Sequence, residues 1–297
     1  MIEITKKGFL TIPVSTKRHF MECFGVSTGG PMDFSRCLLA NRLAGNPDDA
    51  CVLEAAFFLP GLRFTDCRAV AVVGGVEALT FLHNGQKQSL PANRTLFTEP
   101  GDELLSCPIT GGMRAYLAIS GGIRLDTVRP KPVADGDRLA LAPGKLPATG
   151  RLKKVLPPVP TGKAVLRVIS GVQSEQFSSK GMETFYEKEY CYTPQSDRMG
   201  IRFSGPVISF AEGCDGNILS EGTVMGDIQM PPSGQPILLM ADCQTSGGYA
   251  KIAHVITADL PVAAQLRPGD RVRFREVSVF EAQARLHRLN RELEECI

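Results

Sequence analysis

The chain is 297 residues long, about two domains by the usual prior of roughly 150 residues each, so it can bury a core without the disulfides or metals that staple small scaffolds. Hydrophobic residues make up 43% and charged residues 22%, which is the composition of a globular protein and excludes disordered, collagenous and coiled-coil chains. Lys and Arg total 33 against 31 Asp and Glu; a net charge of +2 without runs of like charge gives no footprint for nucleic acid and favours a small-molecule or protein partner.

At the N-terminus, MIEITKKGFLTIPV is interrupted by lysines and lacks the apolar core of about 7–15 residues that a signal peptide needs. Elsewhere no apolar run approaches the roughly 20 residues of a membrane span. The cysteines at 23, 37, 51, 67, 107, 191, 214, 243 and 296 are odd in number, scattered and free of any C-x-x-C pair. They argue against a disulfide framework and a zinc site, and predict reduced thiols in a cytoplasmic protein with no bound metal.

A helix is predicted from Asp33, which can cap it, with Phe34, Cys37, Leu38 and Leu43 on one face and Gly45-Asn46-Pro47 at its end. Most other apolar residues fall in short runs bounded by Gly, Pro, Asn and Asp, at 69–73, 78–82, 113–120, 164–170, 237–241, 251–257 and 271–274. These read as strands, so sheet content should be high. Asn84-Gly85 predicts a tight hairpin turn. The stretch 143–163 concentrates Pro, Gly and basic residues as an exposed linker does, which divides the chain into domains 1–150 and 151–297. Short echoes, Gly30-Pro31-Met32-Asp33 with Gly226-Asp227-Ile228-Gln229 and Pro100-Gly101-Asp102 with Pro268-Gly269-Asp270, raise duplication of the two halves only modestly. At the C-terminus Ser278 and Glu281 form a capping box, and Leu286, Leu289, Leu293 and Ile297 make an apolar stripe for docking on a barrel or on a partner chain.

Phosphate loops, nucleophile elbows, H-E-x-x-H and a dinucleotide fingerprint are all absent, and the histidines at 19, 83, 254 and 287 are far apart. Chemistry should therefore rest on carboxylates, Lys, Arg, Tyr and backbone amides. The polar, glycine-rich segments lie in the second half. They are Tyr192 to Gly200 with Gln195, Asp197 and Arg198; Leu219 to Gly222 with Glu221, followed by Gln229 and Gln235; and ILLMADCQTSGGYAKI at 237–252. In the last, Asp242, Gln244, Thr245 and Ser246 precede a predicted Gly247-Gly248 turn, after which Tyr249 and Lys251 share a strand face. Lys251 could hold a carboxylate or carbonate, the glycines admit backbone N–H groups to an oxyanion, and Tyr249 could relay a proton. A hairpin with an exposed Lys and a packed Tyr explains this last segment equally well, and a solvated turn over 194–200 with a local Asp197–Arg198 ion pair explains the first.

At these segments the sequence resembles the 5-oxoprolinase C-subunit family, also called the KipA, allophanate hydrolase subunit 2 or biotin-dependent carboxyltransferase family, whose relatives include the carboxyltransferase region of urea carboxylase. The matching runs include GVSTGGPMD (25–33), LANRLAGNPDDACVLE (39–54), QSDRMGIRFSGP (195–206), IQMPPSGQPILLMADCQTSGGYAKI (228–252) and ADLPVAAQLRPGDRVRF (258–274). The resemblance implies a mainly β fold of two tandem cyclophilin-like β-barrel domains, with a few short helices and a C-terminal helix. It implies Asp197, Arg198, Tyr249 and Lys251 as the chemical residues, with Gln195, Glu221, Gln229, Gln235, Asp242, Gln244, Thr245, Gly247 and Gly248 lining the same pocket for a small amide or carboxylate. It also implies two partners, a KipI-type sister protein (the B-subunit of 5-oxoprolinase) and the A-subunit of 5-oxoprolinase.

The sequence departs from the family at two places. Thr11 to Lys17, TIPVSTK, stands where a T-V-Q-D-L-G-R motif is usual, and RLDTVRPKPVADGD replaces a longer loop after Gly121-Gly122. Pro13 and Val14 cannot make the hydrogen bonds of a Gln and an Asp, so the expected site lies in the second domain. Three activities compete. One is membership of an ATP-dependent complex that opens 5-oxoproline to glutamate, with ATP bound by the complex. Another is carboxyl transfer to urea or a similar amide within a complex, with biotin supplied by another chain because M-K-M is absent. The last is a regulator that only binds a KipI-type partner.

Overall fold

The computed structural model describes residues 1–16, 21–125, 127, 130–154 and 157–297. Lys17, His19, positions 126, 128 and 129 of the replaced loop, and positions 155 and 156 of the expected linker lie outside the described residues. The chain gathers into two compact units, one of Met1–Arg18, Asp33–Val159 and Arg291–Ile297, the other of His19–Met32 and Pro160–Asn290. None of the nine cysteines is in a disulfide.

The first unit runs β1 (Ile2–Lys6), β2 (Leu10–Val14), α1 (Phe34–Leu43), β3 (Val52–Ala56), β4 (Gly61–Phe64), β5 (Arg68–Gly75), β6 (Ala78–His83), β7 (Gln86–Pro91), β8 (Leu96–Thr98), β9 (Glu103–Leu104), β10 (Gly111–Ile119) and β11 (Arg138–Leu139). These form two sheets, in the orders β11-β1-β4-β9-β6-β7 and β2-β3-β10-β5-β8. Ile2, Leu62 and Phe64 of the first sheet and Leu53, Val72 and Leu117 of the second enter one shared core. The unbroken apolar run 69–73 is buried throughout, as a central strand covered on both faces must be. Asn84 and Gly85 both take positive φ, 49° and 77°, and close the two-residue turn between β6 and β7 with His83 opposite Gln86.

Asp33 does more than cap α1. Its Oδ1 accepts from Arg36 N at 3.1 Å, and its Oδ2 lies 2.5 Å from the Arg36 guanidinium, with both side chains fully buried. Asp33 N donates to the Tyr116 hydroxyl at 2.7 Å, and that hydroxyl donates to Glu54 at 2.6 Å. Burial, then the nearby Glu54 and Asp33 carboxylates, push the Tyr116 hydroxyl well above its ordinary pKa.

The second unit runs β12 (Lys163–Ser170), α2 (Ser179–Glu187), β13 (Tyr190–Tyr192), β14 (Gly200–Ser204), β15 (Asn217–Gly222), β16 (Asp227–Met230), β17 (Ile237–Leu239), β18 (Ser246–Val255), α3 (Leu260–Ala264), β19 (Arg271–Glu276) and α4 (Val279–Glu294), whose last residues count with the first unit. Seven of these strands, in the order β12-β19-β13-β14-β17-β16-β18, close on themselves because β12 also pairs with β18, Val168 opposite Val255 and Ser170 opposite Ala253. The result is a closed β-barrel in a mainly β chain. Among the described residues strand β15 pairs with β18 alone and stands outside the ring.

Helix α2 has no counterpart among the helices expected from the sequence. Gly181 in its first turn weakens the local signal, yet a Cβ there would stand 2.1 Å from Ser209 O, so the packing demands glycine. Ser178 caps the helix through Gly181 N at 3.0 Å, and Phe185 stacks on Phe274 with ring centroids 4.6 Å apart. Such a pair adds about 0.5–1.5 kcal/mol beyond its buried area. Of the C-terminal capping box the serine half is present, Ser278 Oγ accepting from Glu281 N at 3.2 Å, while Glu281 Oε1 faces Arg275 and Arg285 at 3.6 and 3.5 Å. Of the apolar stripe, Leu289 and Leu293 are buried within the chain, Leu286 is half-buried and Ile297 is exposed, so the chain itself covers half of the stripe fully.

Candidate active site

The site is built on β16 and β18 of the barrel. Gln229 pairs with Lys251 and Ile228 with Ala253, so β18 carries one extra residue, Ile252, at this point. A strand alternates faces with a period of two, which by itself would set Lys251 and His254 on opposite sides. The bulge shifts the alternation, and both residues take the face of their partners, Gln229 and Asp227. Asp227 Oδ1 meets His254 Nδ1 at 2.9 Å, a pair that sequence reading did not single out.

Lys251 is buried, with 8% of its surface exposed. Its Nζ lies 2.5 Å from Glu221 Oε1 and donates to Gly222 O at 2.9 Å. Gln173, also unanticipated, donates from Nε2 to Glu221 at 2.7 Å and accepts from Lys251 N at 3.1 Å. The ammonium of Lys251 first, and then the Gln173 amide, hold the Glu221 carboxyl below the usual glutamate range.

Gln229 is buried; its Oε1 accepts from Gln244 Nε2 at 3.1 Å, while its own Nε2 has no hydrogen-bond partner among the described residues. Thr223 ties this pair to the Lys251 group, because its hydroxyl donates to Gln244 O at 2.5 Å, its N donates to Thr245 O, and it follows Gly222 directly. The expected Gly247-Gly248 turn is instead part of β18. A Cβ on Gly247 would stand 2.5 Å from Gln229 Nε2, so a larger residue there would have to push the amide pair aside.

Arg198 does not pair with its neighbour Asp197. Its Nε and Nη2 reach Asp242 at 2.8 and 3.0 Å, and Nη2 also donates to Gly30 O at 2.7 Å, anchoring the 21–32 segment that counts with this unit. Asp197 turns back on its own loop, where Oδ1 accepts from Met199 N and Gly200 N at 2.8 and 3.1 Å. Gln195 is exposed on the same loop. Gln235 spends both ends of its amide on the backbone of Gly205, at 2.8 and 3.0 Å. Tyr249 is 38% exposed on β18, opposite Asn217 of β15.

Two groups therefore assemble: Lys251, Glu221 and Gln173 with the Gln229–Gln244 amides, and Arg198 with Asp242. The loop carrying Asp242 and Gln244 links them. The first offers a buried cation and an unfilled amide donor, a combination suited to carboxylate or carbonyl oxygens. The second is a bidentate ion pair that holds loops in place.

Residues 24–276 match the carboxyltransferase domain, subdomain A and B family. The chain belongs to this family. It is 30% identical over 288 residues to the C-subunit of 5-oxoprolinase from Haemophilus influenzae, covering 92% of this chain and 90% of that one. Among solved structures it resembles TTHA0988, with TM-score 0.78 and 30% identity, covering 92% of this chain and only 55% of that one. It also shares its fold with K. lactis urea amidolyase, TM-score 0.87 at 24% identity, covering 99% of this chain and 20% of that one. Among the described residues no helix is long and apolar enough to cross a membrane.

Proposed function

We propose that this chain is a cytoplasmic subunit of an ATP-dependent 5-oxoprolinase-type complex, which opens a cyclic amide such as 5-oxoproline to glutamate. The observation that carries this reading is the similarity to the C-subunit of 5-oxoprolinase, which extends over 90% of that protein and is not confined to one motif. In this reading the partners are a KipI-type B-subunit and an A-subunit, and nucleotide is bound by the complex. Lys251 neutralises the anionic carboxylate or intermediate, the Gln229 Nε2 donor takes a carbonyl oxygen, and Tyr249 relays a proton at the exposed end of β18. Arg198 and Asp242 position the loops.

The test is co-expression with the A- and B-type partners, followed by assay of ATP-dependent glutamate release from 5-oxoproline. Turnover by the assembly and not by the chain alone supports the reading. A second reading, carboxyl transfer to urea or a similar amide from biotin carried by another chain, is favoured by the carboxyltransferase family match. It predicts no turnover of 5-oxoproline, and activity only when a biotinylated carrier is added.

A further inference from the structure

Two donors converge on a single carboxylate oxygen in the second unit. Lys251 Nζ lies 2.5 Å from Glu221 Oε1, and Gln173 Nε2 donates to the same oxygen at 2.7 Å. Gln173 is anchored at its other end, because its Oε1 accepts from Lys251 N at 3.1 Å. The approach depends on Gly171, whose N donates to Ile252 O at 2.9 Å; a Cβ there would stand 2.1 Å from Lys251 O. Lys251 Nζ has a second anchor on Gly222 O at 2.9 Å, so Glu221 alone does not hold it.

The donors and their occupant differ in how firmly they are held. Lys251 belongs to β18 of the closed ring, and Gln173 to the turn that follows β12 of the same ring. Glu221 belongs to β15, outside the ring, and the register of β15 on β18 breaks between Asn217 and Glu221. The side chain of Lys251 is 10% exposed and that of Glu221 40%. A half-exposed carboxylate returns to water at small cost, whereas a buried ammonium cannot be left without an anion.

We propose that Glu221 is a resident stand-in for a ligand carboxylate, and that Lys251 Nζ and Gln173 Nε2 form a subsite for a carboxylate or carbonate group, which Glu221 vacates when the ligand enters. The inference rests on the site reading above, to which it adds Gln173 as a donor and Glu221 as the group displaced. Exchange of one carboxylate for another keeps the buried cation paired throughout. Glu221 therefore competes with the ligand, and its removal strengthens carboxylate binding where the loss of an ordinary contact residue would weaken it.

The test is titration of the full chain with acetate and, separately, bicarbonate, followed through the side-chain NMR signal of Lys251. Glu221→Ala should bind either probe about three- to tenfold more tightly than wild type, since no ion pair has to open first. Glu221→Gln, which keeps the shape, should lie between the two, and Gln173→Leu in the Glu221→Ala background should abolish the gain. Equal or weaker binding by both Glu221 variants overturns the proposal, as does a Gln173→Leu change without effect. The readout is binding, so an assembly that fails to turn over 5-oxoproline would overturn the functional reading and leave this result intact.

Discussion

Arg198 and Asp242, 44 residues apart in the sequence, meet as a two-point fork with Nε to Oδ2 at 2.8 Å and Nη2 to Oδ1 at 3.0 Å. The same Nη2 reaches Gly30 O, so one guanidinium holds three chain segments. Lysine cannot reproduce this planar fork. Arg198→Lys should lower stability by about 1–3 kcal/mol through lost charge-assisted hydrogen bonds. Chemical denaturation reads the change, and limited proteolysis should cut the 21–32 segment faster in the variant.

The Lys251–Glu221 pair fixes a pH dependence. The folded-state pKa of Glu221 lies below its ordinary 4.5, so its contribution to stability is complete above that value and is lost as pH falls through the lower folded value. A carboxyl-carbon NMR titration should show the Glu221 midpoint below 4.5 in the wild type. In Lys251→Met the midpoint should rise toward that value, and an unmoved midpoint would count against the pairing.

Gly247→Ala tests the packing of the amide pair. The new methyl would meet Gln229 Nε2 at 2.5 Å, and because a side-chain end can yield, the change should cost about 1–3 kcal/mol without unfolding the barrel. Loss of the Gln229–Gln244 hydrogen bond should appear in the side-chain amide NMR signals.

Asp33→Ala strips a fully buried guanidinium of its counter-charge and α1 of its cap. It should destabilise the first unit by about 3 kcal/mol or more. Asp33→Asn keeps a capping oxygen and should recover about 1 kcal/mol of that loss in thermal melts.

Features with local causes were legible in the sequence. Asp33 and Ser278 announce helix starts through their own backbone partners, and Asn84-Gly85 sets its turn from two residues. Much of the site has nonlocal causes. Gln173 lies 78 residues from Lys251 and reaches it because β12 pairs with β18 to close the barrel. The Asp227–His254 pair shares the face of Lys251 because of a one-residue bulge that strand alternation does not foretell. The family resemblance marked Arg198 and Asp242 as residues of interest, but the composition of the loop favoured a local Asp197–Arg198 pair. The fork to Asp242 wins because it satisfies two guanidinium nitrogens at once.

The most direct measurement is ATP-dependent opening of 5-oxoproline by the complex reconstituted with its A- and B-type partners, comparing wild type with Lys251→Ala and checking integrity by thermal melts. Lys251→Ala should melt close to the wild type and lose at least about 100-fold in turnover, the usual scale for removing a group that stabilises charge in the transition state. A folded Lys251→Ala chain with wild-type turnover would exclude Lys251 from the chemistry.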